Sequence, residues 1–161
     1  MTGSRPGVLV PRGLLMRMGY LLNRPALRFR QLAEAVLKPL SLIPPHVGVL
    51  TVLQSEGPQT QQALGKLLRI DPNTMVLLID DLEKKKVVRR DDHPKDRRAH
   101  LIKVSPAGEG LFRHAVKQLD RLEDDFLAPL SKREQEDLRQ LLLKLFQGAL
   151  MKGELPNYFK K

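Results

Sequence analysis

Apolar side chains, with Pro25 among them, recur at positions 14, 18, 21, 22, 25, 29, 32, 33, 36 and 40, the three-and-four spacing of one helix face. Proline has no N–H to donate, so the pattern predicts a long amphipathic helix that kinks at Pro25 or restarts after Asn23 as a cap. Pro44-Pro45 suits the first turn of a short helix that carries Val47, Leu50 and Leu53 inward and ends at Gly57-Pro58. Thr60 then caps a segment with Ala63, Leu64, Leu67 and Leu68 on one face. Asp71-Pro72, a carboxylate acceptor followed by a proline at the first helical position, opens the next helix after a gap of only Arg69 to Asp71. Two helices joined so closely form a tight helix-turn-helix.

The second helix of that pair turns Met75, Leu78, Ile79 and Leu82 inward and Asn73, Thr74, Val76, Leu77, Asp80 and Asp81 outward. Val87-Val88 and Leu101-Ile102-Lys103-Val104 read as two short strands joined by a polar loop, a β-hairpin wing. Ser105-Pro106 starts a long helix with a stripe of Leu111, Ala115, Leu119, Leu122 and Phe126. Ser131 and Glu134 form a capping box ahead of Leu138, Leu141, Leu142, Leu145 and Ala149, in a helix expected to fray near Gly148 to Gly153. The expected fold class is mainly α with a small β-hairpin wing (α+β): a winged helix-turn-helix lobe plus a helical layer. No repeat with a period of 20 to 50 residues is present.

Composition narrows the class of function. At 161 residues the chain suits one domain, and 42% hydrophobic with only 4% aromatic residues makes its core aliphatic. No apolar run approaches the roughly 18 to 20 residues of a membrane span. The expected location is therefore the cytoplasm, with no membrane partner. The absence of cysteine excludes disulfides, thiolate metal sites and thiol redox switches. A formal charge of +10 favours a polyanionic partner. Residues 84–103 concentrate that charge, with nine bases against Asp91, Asp92 and Asp96. Leu9-Val10-Pro11-Arg12-Gly13 resembles an engineered protease-cleavage linker, so residues 1–11 are set apart from the fold and 151–161 are taken as a tail.

A helix that enters the major groove needs a capped N-terminus and small polar side chains in its first turn. Thr60, Asp71, Asn73, Thr74, Val76 and Leu77 are the candidates on the helix pair. At the hairpin tip, His93, Lys95, Asp96, Arg97 and Arg98 can anchor to phosphates or enter a minor groove, Asp96 orienting an arginine. Catalysis is not expected: Asp80-Asp81, Asp91-Asp92 and Glu123-Asp124-Asp125 are consecutive and point apart, and no nucleotide-binding glycine loop or nucleophile elbow occurs. His93, Asp96 and His100 lack a fourth ligand, so neither metal nor cofactor is expected. His46 and His114 both fall near inward helix faces and read as core or interface residues, with a shared ligand pocket as the alternative.

Asp71 to Arg90 (DPNTMVLLIDDLEKKKVVRR) resembles the recognition helix and first wing strand of the MarR (multiple antibiotic resistance regulator) family of winged-helix repressors. His93-Pro94-Lys95-Asp96-Arg97-Arg98-Ala99 resembles its wing signature, and the likeness runs from about Leu14 to Leu150. The resemblance implies one domain over residues 12–150, with a DNA-binding lobe at about 42–105 and dimerisation helices at about 12–40 and 106–150. It further implies a homodimer on double-stranded DNA, and a small-molecule effector, such as an aromatic acid, near Met16, Arg17, Tyr20, His46 and Val47. Independently, the end helices carry more apolar surface than a winged helix of some 60 residues can cover, and a partner chain would bury it.

This sequence departs from the family pattern at three places. Lys86 stands where a glycine usually ends the recognition helix, Leu77 where an arginine is often found, and Ile43 where a cap residue precedes the Pro44-Pro45 helix. Specificity is then expected from an apolar reading face, Val76 and Leu77 touching thymine methyl groups. The wing acts chiefly as an anchor, so Arg97→Ala is expected to weaken binding to all sequences alike. The resulting reading is a sequence-specific homodimeric regulator, a repressor, on a pseudo-palindromic operator. The alternative is a low-specificity architectural nucleic-acid-binding protein.

Overall fold

The computed structural model describes residues 10–93 and 96–151, with side chains given outside 93–99 and 149–151. Lys95 and the expected terminal segments, apart from Val10, Pro11 and Met151, lie outside the described residues. The chain divides into two units, residues 1–122 and 123–161. The first starts with a single turn, α1 (Arg12–Leu15), followed by α2 (Met18–Leu37). The break between them falls at Met16-Arg17, where Arg17 is extended, and not at Asn23 to Pro25. Proline 25 sits inside an unbroken helix. It forfeits only its own N–H bond to the preceding turn, and the twelve residues that follow it in α2 are mostly strong helix formers such as Ala26, Leu27, Leu32 and Ala35.

The apolar stripe of α2 changes character along its length. Ala33 and Leu37 are buried and Val36 packs on the core, whereas Met18, Leu21 and Leu22 are exposed. A 3-10 turn (Lys38–Leu40) closes the helix with Ser41 in the left-handed region at φ 54°, and Leu42 N–H returns to Leu37 C=O at 3.2 Å. Helix α3 (Pro44–Glu56) then buries His46, Val47, Val49, Leu50 and Leu53. Its first position, Ile43, has no side-chain acceptor. His46 Nδ1 instead takes the Ile43 N–H at 3.3 Å, which supplies the returning half of a capping box.

A two-residue strand missed by the pattern, β1 (Gln59–Thr60), precedes α4 (Gln61–Leu68), which Thr60 Oγ1 caps by accepting from Ala63 N at 3.2 Å. Of the expected inward face of α4, Leu64 is buried but Leu67 is 58% exposed. Arg69 takes a left-handed φ of 54° at the turn, and Asp71 Oδ1 caps α5 (Pro72–Lys84) by accepting from Thr74 N at 3.0 Å. Met75, Leu78, Ile79 and Leu82 are all buried, as their spacing predicts. Met75, Ile79 and Leu82 join Leu37, Leu42, Leu50, Leu64, Val87, Val88 and Ile102 in one core.

Strands β2 (Val88–His93) and β3 (Asp96–Val104) pair antiparallel, and β1 adds to the other edge of β3 to give the order β1-β3-β2. The hairpin is longer than expected. Residues 89–93 and 96–100, read as polar loop, continue the ladder through Asp92 opposite His100, with a register shift before His93. Alternation fails as a signal here because charged residues pair across the ribbon, as Asp91 does with Lys103. Ser105 Oγ then accepts from Gly108 N at 3.0 Å and opens α6 (Pro106–Leu127). In the second unit, Ser131 and Glu134 form the expected capping box, with Ser131 N to Glu134 Oε2 at 2.8 Å, ahead of α7 (Lys132–Met151). Along α7, Leu141, Leu142, Leu143, Leu145 and Phe146 are exposed. No single helix among the described residues is long and apolar enough to cross a membrane.

Candidate nucleic-acid interface

Four of the side chains singled out in the helix pair lie on the open surface of α5: Asn73, Thr74, Val76 and Leu77. Asp71 and Thr60 are committed to capping, so their oxygens hold the first turns of α5 and α4 in place. Hydrogen bonding from Thr74 keeps the Asp71 carboxyl below the ordinary carboxylate range, which preserves the charge that favours a helix N-terminus. Leu77 is 69% exposed and is the most open apolar residue of α5.

The wing is braced against this helix from the strand side. Arg90 of β2 reaches both Asp80 and Glu83 of α5, which sit three residues apart on one helix flank. Burial works against the Arg90 charge, but the two carboxylates outweigh it and hold the guanidinium pKa above its ordinary value. Within the ribbon, Arg89 stands opposite Lys103, and Asp91 separates the two cations, 2.8 Å from Lys103 and 3.2 Å from Arg89. Lys103 chiefly, then Arg89, hold the Asp91 carboxyl low. Part of the basic run is thus neutralised within the fold. The backbones of His93, Asp96, Arg97 and Arg98 lie in the ribbon, while their side chains and Lys95 fall outside the described residues.

A second set of charges fastens the far end of α5. Lys85 Nζ donates to the Ser41 carbonyl at 2.6 Å and pairs with Asp81, which also stands 3.3 Å from His46 Nε2. His46 is 3% exposed, and burial, then the nearby Lys85, push its pKa down against the opposing pull of Asp81. Its Nδ1 accepts a backbone N–H, so the proton of the neutral ring lies on Nε2, facing Asp81. Both ring nitrogens are spent inside the fold. His114 is exposed beside Gln118, so the two histidines occupy different surroundings. Among the ligand candidates, Val47 is buried, Tyr20 lies under Arg24 with its ring centroid 5.9 Å from the guanidinium carbon, and Met16 and Arg17 are exposed at the α1–α2 break. No cluster of three metal-binding side chains occurs among the described residues.

The Arg90 brace and the Asp81–His46–Lys85 set were invisible in the sequence, because each joins residues whose proximity only the tertiary fold creates. The spacing of Asp80 and Glu83 on one flank was the single available hint.

The helix-turn-helix, the braced ribbon and the family model for MarR, which matches residues 42–100, coincide. The chain belongs to the MarR family. It is 29% identical over 140 residues, 86% of this chain and 84% of the relative, to a Thauera aromatica protein assigned to regulation of the hcr operon. A Pseudomonas aeruginosa protein assigned as a transcriptional regulator is 30% identical, with 82% of this chain and 98% of that one covered at a TM-score of 0.71. The fold is also that of a mutant E. coli MarR complexed with operator DNA (23% identity, 84% and 98% covered, TM-score 0.74). PcaV of Streptomyces coelicolor, solved with its natural ligand, shares it too (22% identity, 92% and 99% covered, TM-score 0.69). This MarR-family chain is a DNA-binding transcription regulator, and the family is not one of enzymes.

Proposed function

We propose that the protein acts as a homodimeric, sequence-specific repressor on a pseudo-palindromic operator, and that a small aromatic or anionic ligand releases it. The observation that carries the reading is the state of α5: capped at its start, braced to the ribbon by Arg90 and seated by four buried residues, yet open along Asn73, Thr74, Val76 and Leu77. A rigid helix presented in this way suits the major groove, with the Arg97 and Arg98 tip anchoring to the flanking backbone. Dimerisation is supported by the exposed leucines of α2 and α7, because two half-sites about one helical turn apart require two linked copies. Ligand release is supported by the relative solved with its natural ligand. Met16, Arg17 and Tyr20 lie nearest solvent among the proposed ligand residues. His46 and Val47 are buried, with both His46 nitrogens committed within the fold, so these two would contribute by packing alone.

Affinity for the chain's own upstream intergenic DNA, compared with random duplex at equal salt, tests the reading. A preference of about a thousandfold or more is expected for a specific regulator. A ratio near one would instead favour an architectural protein that coats nucleic acid through charge alone. Challenging the complex with aromatic acids tests the ligand: DNA release is expected, and unchanged binding across them would remove the effector from the reading.

A further inference from the structure

We infer that Leu77 reads a thymine methyl group in the major groove, one helical turn beyond an adenine read by Asn73, so that each operator half-site holds an A and a T within two base pairs. The inference deepens the proposed function and rests on α5 entering the major groove. With about 100° of rotation per residue, the line opposite the buried Met75, Leu78, Ile79 and Leu82 runs through Asn73, Leu77, Asp80 and, in the last position of the helix, Lys84. Val76 lies on the flank toward Glu83, and Thr74 on the opposite flank toward Asp81. The outermost line therefore carries one amide, one aliphatic side chain, one carboxylate and, at its C-terminal end, one ammonium.

The carboxylate is not free to read bases, since Asp80 is held by Arg90. Asp71 is likewise spent on the cap. Lys84, at the C-terminal end of α5, carries the charge suited to a phosphate, which leaves Asn73 and Leu77 on the central line. An amide matches adenine through its N6 and N7 edge, and the one apolar group that a standard base pair shows in the major groove is the thymine methyl. Side chains four residues apart are separated by about 6 Å along the helix, against about 3.4 Å per base pair, which sets the spacing of one to two steps. A leucine 69% exposed in a lobe that buries the four inward apolar residues of the same helix is then explained as a contact surface rather than a packing residue.

The test starts from duplexes selected by the full-length protein out of a randomised pool at fixed salt. Each thymine of the selected half-site is then replaced singly by deoxyuridine, which removes only the methyl group. One position per half-site is expected to lose about fourfold in affinity, the value of one buried methyl, and the symmetric double replacement about fifteenfold. Leu77→Ala, a surface change that leaves the core intact, should erase that difference, and Asn73→Ala should keep it while relaxing the preference at the adenine. A selected sequence with equal affinity for thymine and uracil at every position overturns the inference and leaves the proposed function standing. Leu77→Ala without effect on affinity overturns it as well and assigns the side chain to a protein contact. A pool that yields no sequence preference overturns both readings together.

Discussion

The lobe from Leu42 to Val104 and the helices at the chain ends handle the same kind of residue in opposite ways. In the lobe, Leu50, Leu64, Met75, Ile79, Leu82 and Ile102 are almost fully buried, and every helix start has a side-chain or ring acceptor. In α7 the leucines are as numerous and as regularly spaced, yet Leu141, Leu145 and Phe146 lie open, Phe146 at 60% exposure. Helix α2 belongs to both regimes, closed at Leu37 and open at Met18. Periodicity thus reports only that a face is apolar. Whether the chain itself covers that face depends on how many other elements are available to pack on it, and the lobe has exhausted its own.

The sharpest break in this contrast comes where the lobe is tightest. A Cβ on Gly108 would sit 2.0 Å from the Val87 carbonyl oxygen, an atom already engaged by Ser105 N at 2.9 Å. Backbone on both sides leaves no way to relax, so Gly108→Ala is expected to cost about 3 kcal/mol or more, read as a loss of urea midpoint. Gly110→Ala, two residues on in the same helix with nothing within 4 Å, should be neutral or raise stability by up to about 1 kcal/mol. Equal effects at the two sites would show that α6 is not clamped to the lobe at Gly108.

Next in size is a paired test of the two regimes. Ile79→Ala removes a fully buried side chain and should lower unfolding free energy by about 2–4 kcal/mol, while the dissociation constant of the proposed dimer stays where it was. Leu145→Ala should do the reverse, weakening the proposed dimer about tenfold in sedimentation with little change in helical content. A monomer–dimer equilibrium untouched by Leu145→Ala would take α7 out of the interface.

How much of this was written in the sequence varies with the range of the interaction. The caps at Thr60, Asp71 and Ser131 and the inward set of α5 were legible, because each depends on residues within two turns of one another. The wing's position was legible from Val88 and Ile102, but its length was not, since charged residues paired across the ribbon, such as Asp91 with Lys103, look like loop. The restart of the first long helix was misplaced, because proline is a strong local signal while the turn at Met16-Arg17 has none. Leu67 was assigned inward by spacing alone, and an eight-residue helix has too few turns for spacing to decide. The brace from Arg90 to Asp80 and Glu83 needed the tertiary fold.

A smaller effect follows from His46, the buried base 3.3 Å from Asp81, whose carboxylate also pairs with Lys85. Its folded pKa lies below the unfolded value, so as pH falls through about 6.5 the unfolded chain takes up the proton before the native one does. Stability from this site is therefore complete above that pH and declines as pH falls through it, by no more than about 1.4 kcal/mol per pH unit. His46→Gln keeps an acceptor for the Ile43 N–H without the titration. It should flatten the dependence of melting temperature on pH between about 7.5 and 5.5 relative to the parent. Parallel curves would assign the slope to other groups.

The finest test bears on the one place where the lobe departs from the family pattern without relief. Lys86 holds φ at 60°, while its N–H bonds Glu83 C=O at 2.8 Å and the next N–H, of Val87, bonds Leu82 C=O at 2.9 Å. That pair of bonds is a Schellman ending, and the contact between buried Val87 and Leu82 completes it. A lysine there bears the steric cost of the left-handed region, about 1–2 kcal/mol, which glycine escapes, though glycine gives back part of the gain as unfolded-state entropy. Lys86→Gly should thus stabilise the protein by about 0.5–1 kcal/mol in urea denaturation, leaving Val87 and the Ser105 bond to the residue 86 carbonyl in place. A loss of stability would mean that the lysine side chain contributes more to the lobe than its backbone costs, and the ending of α5 would then be tuned by charge rather than by conformation.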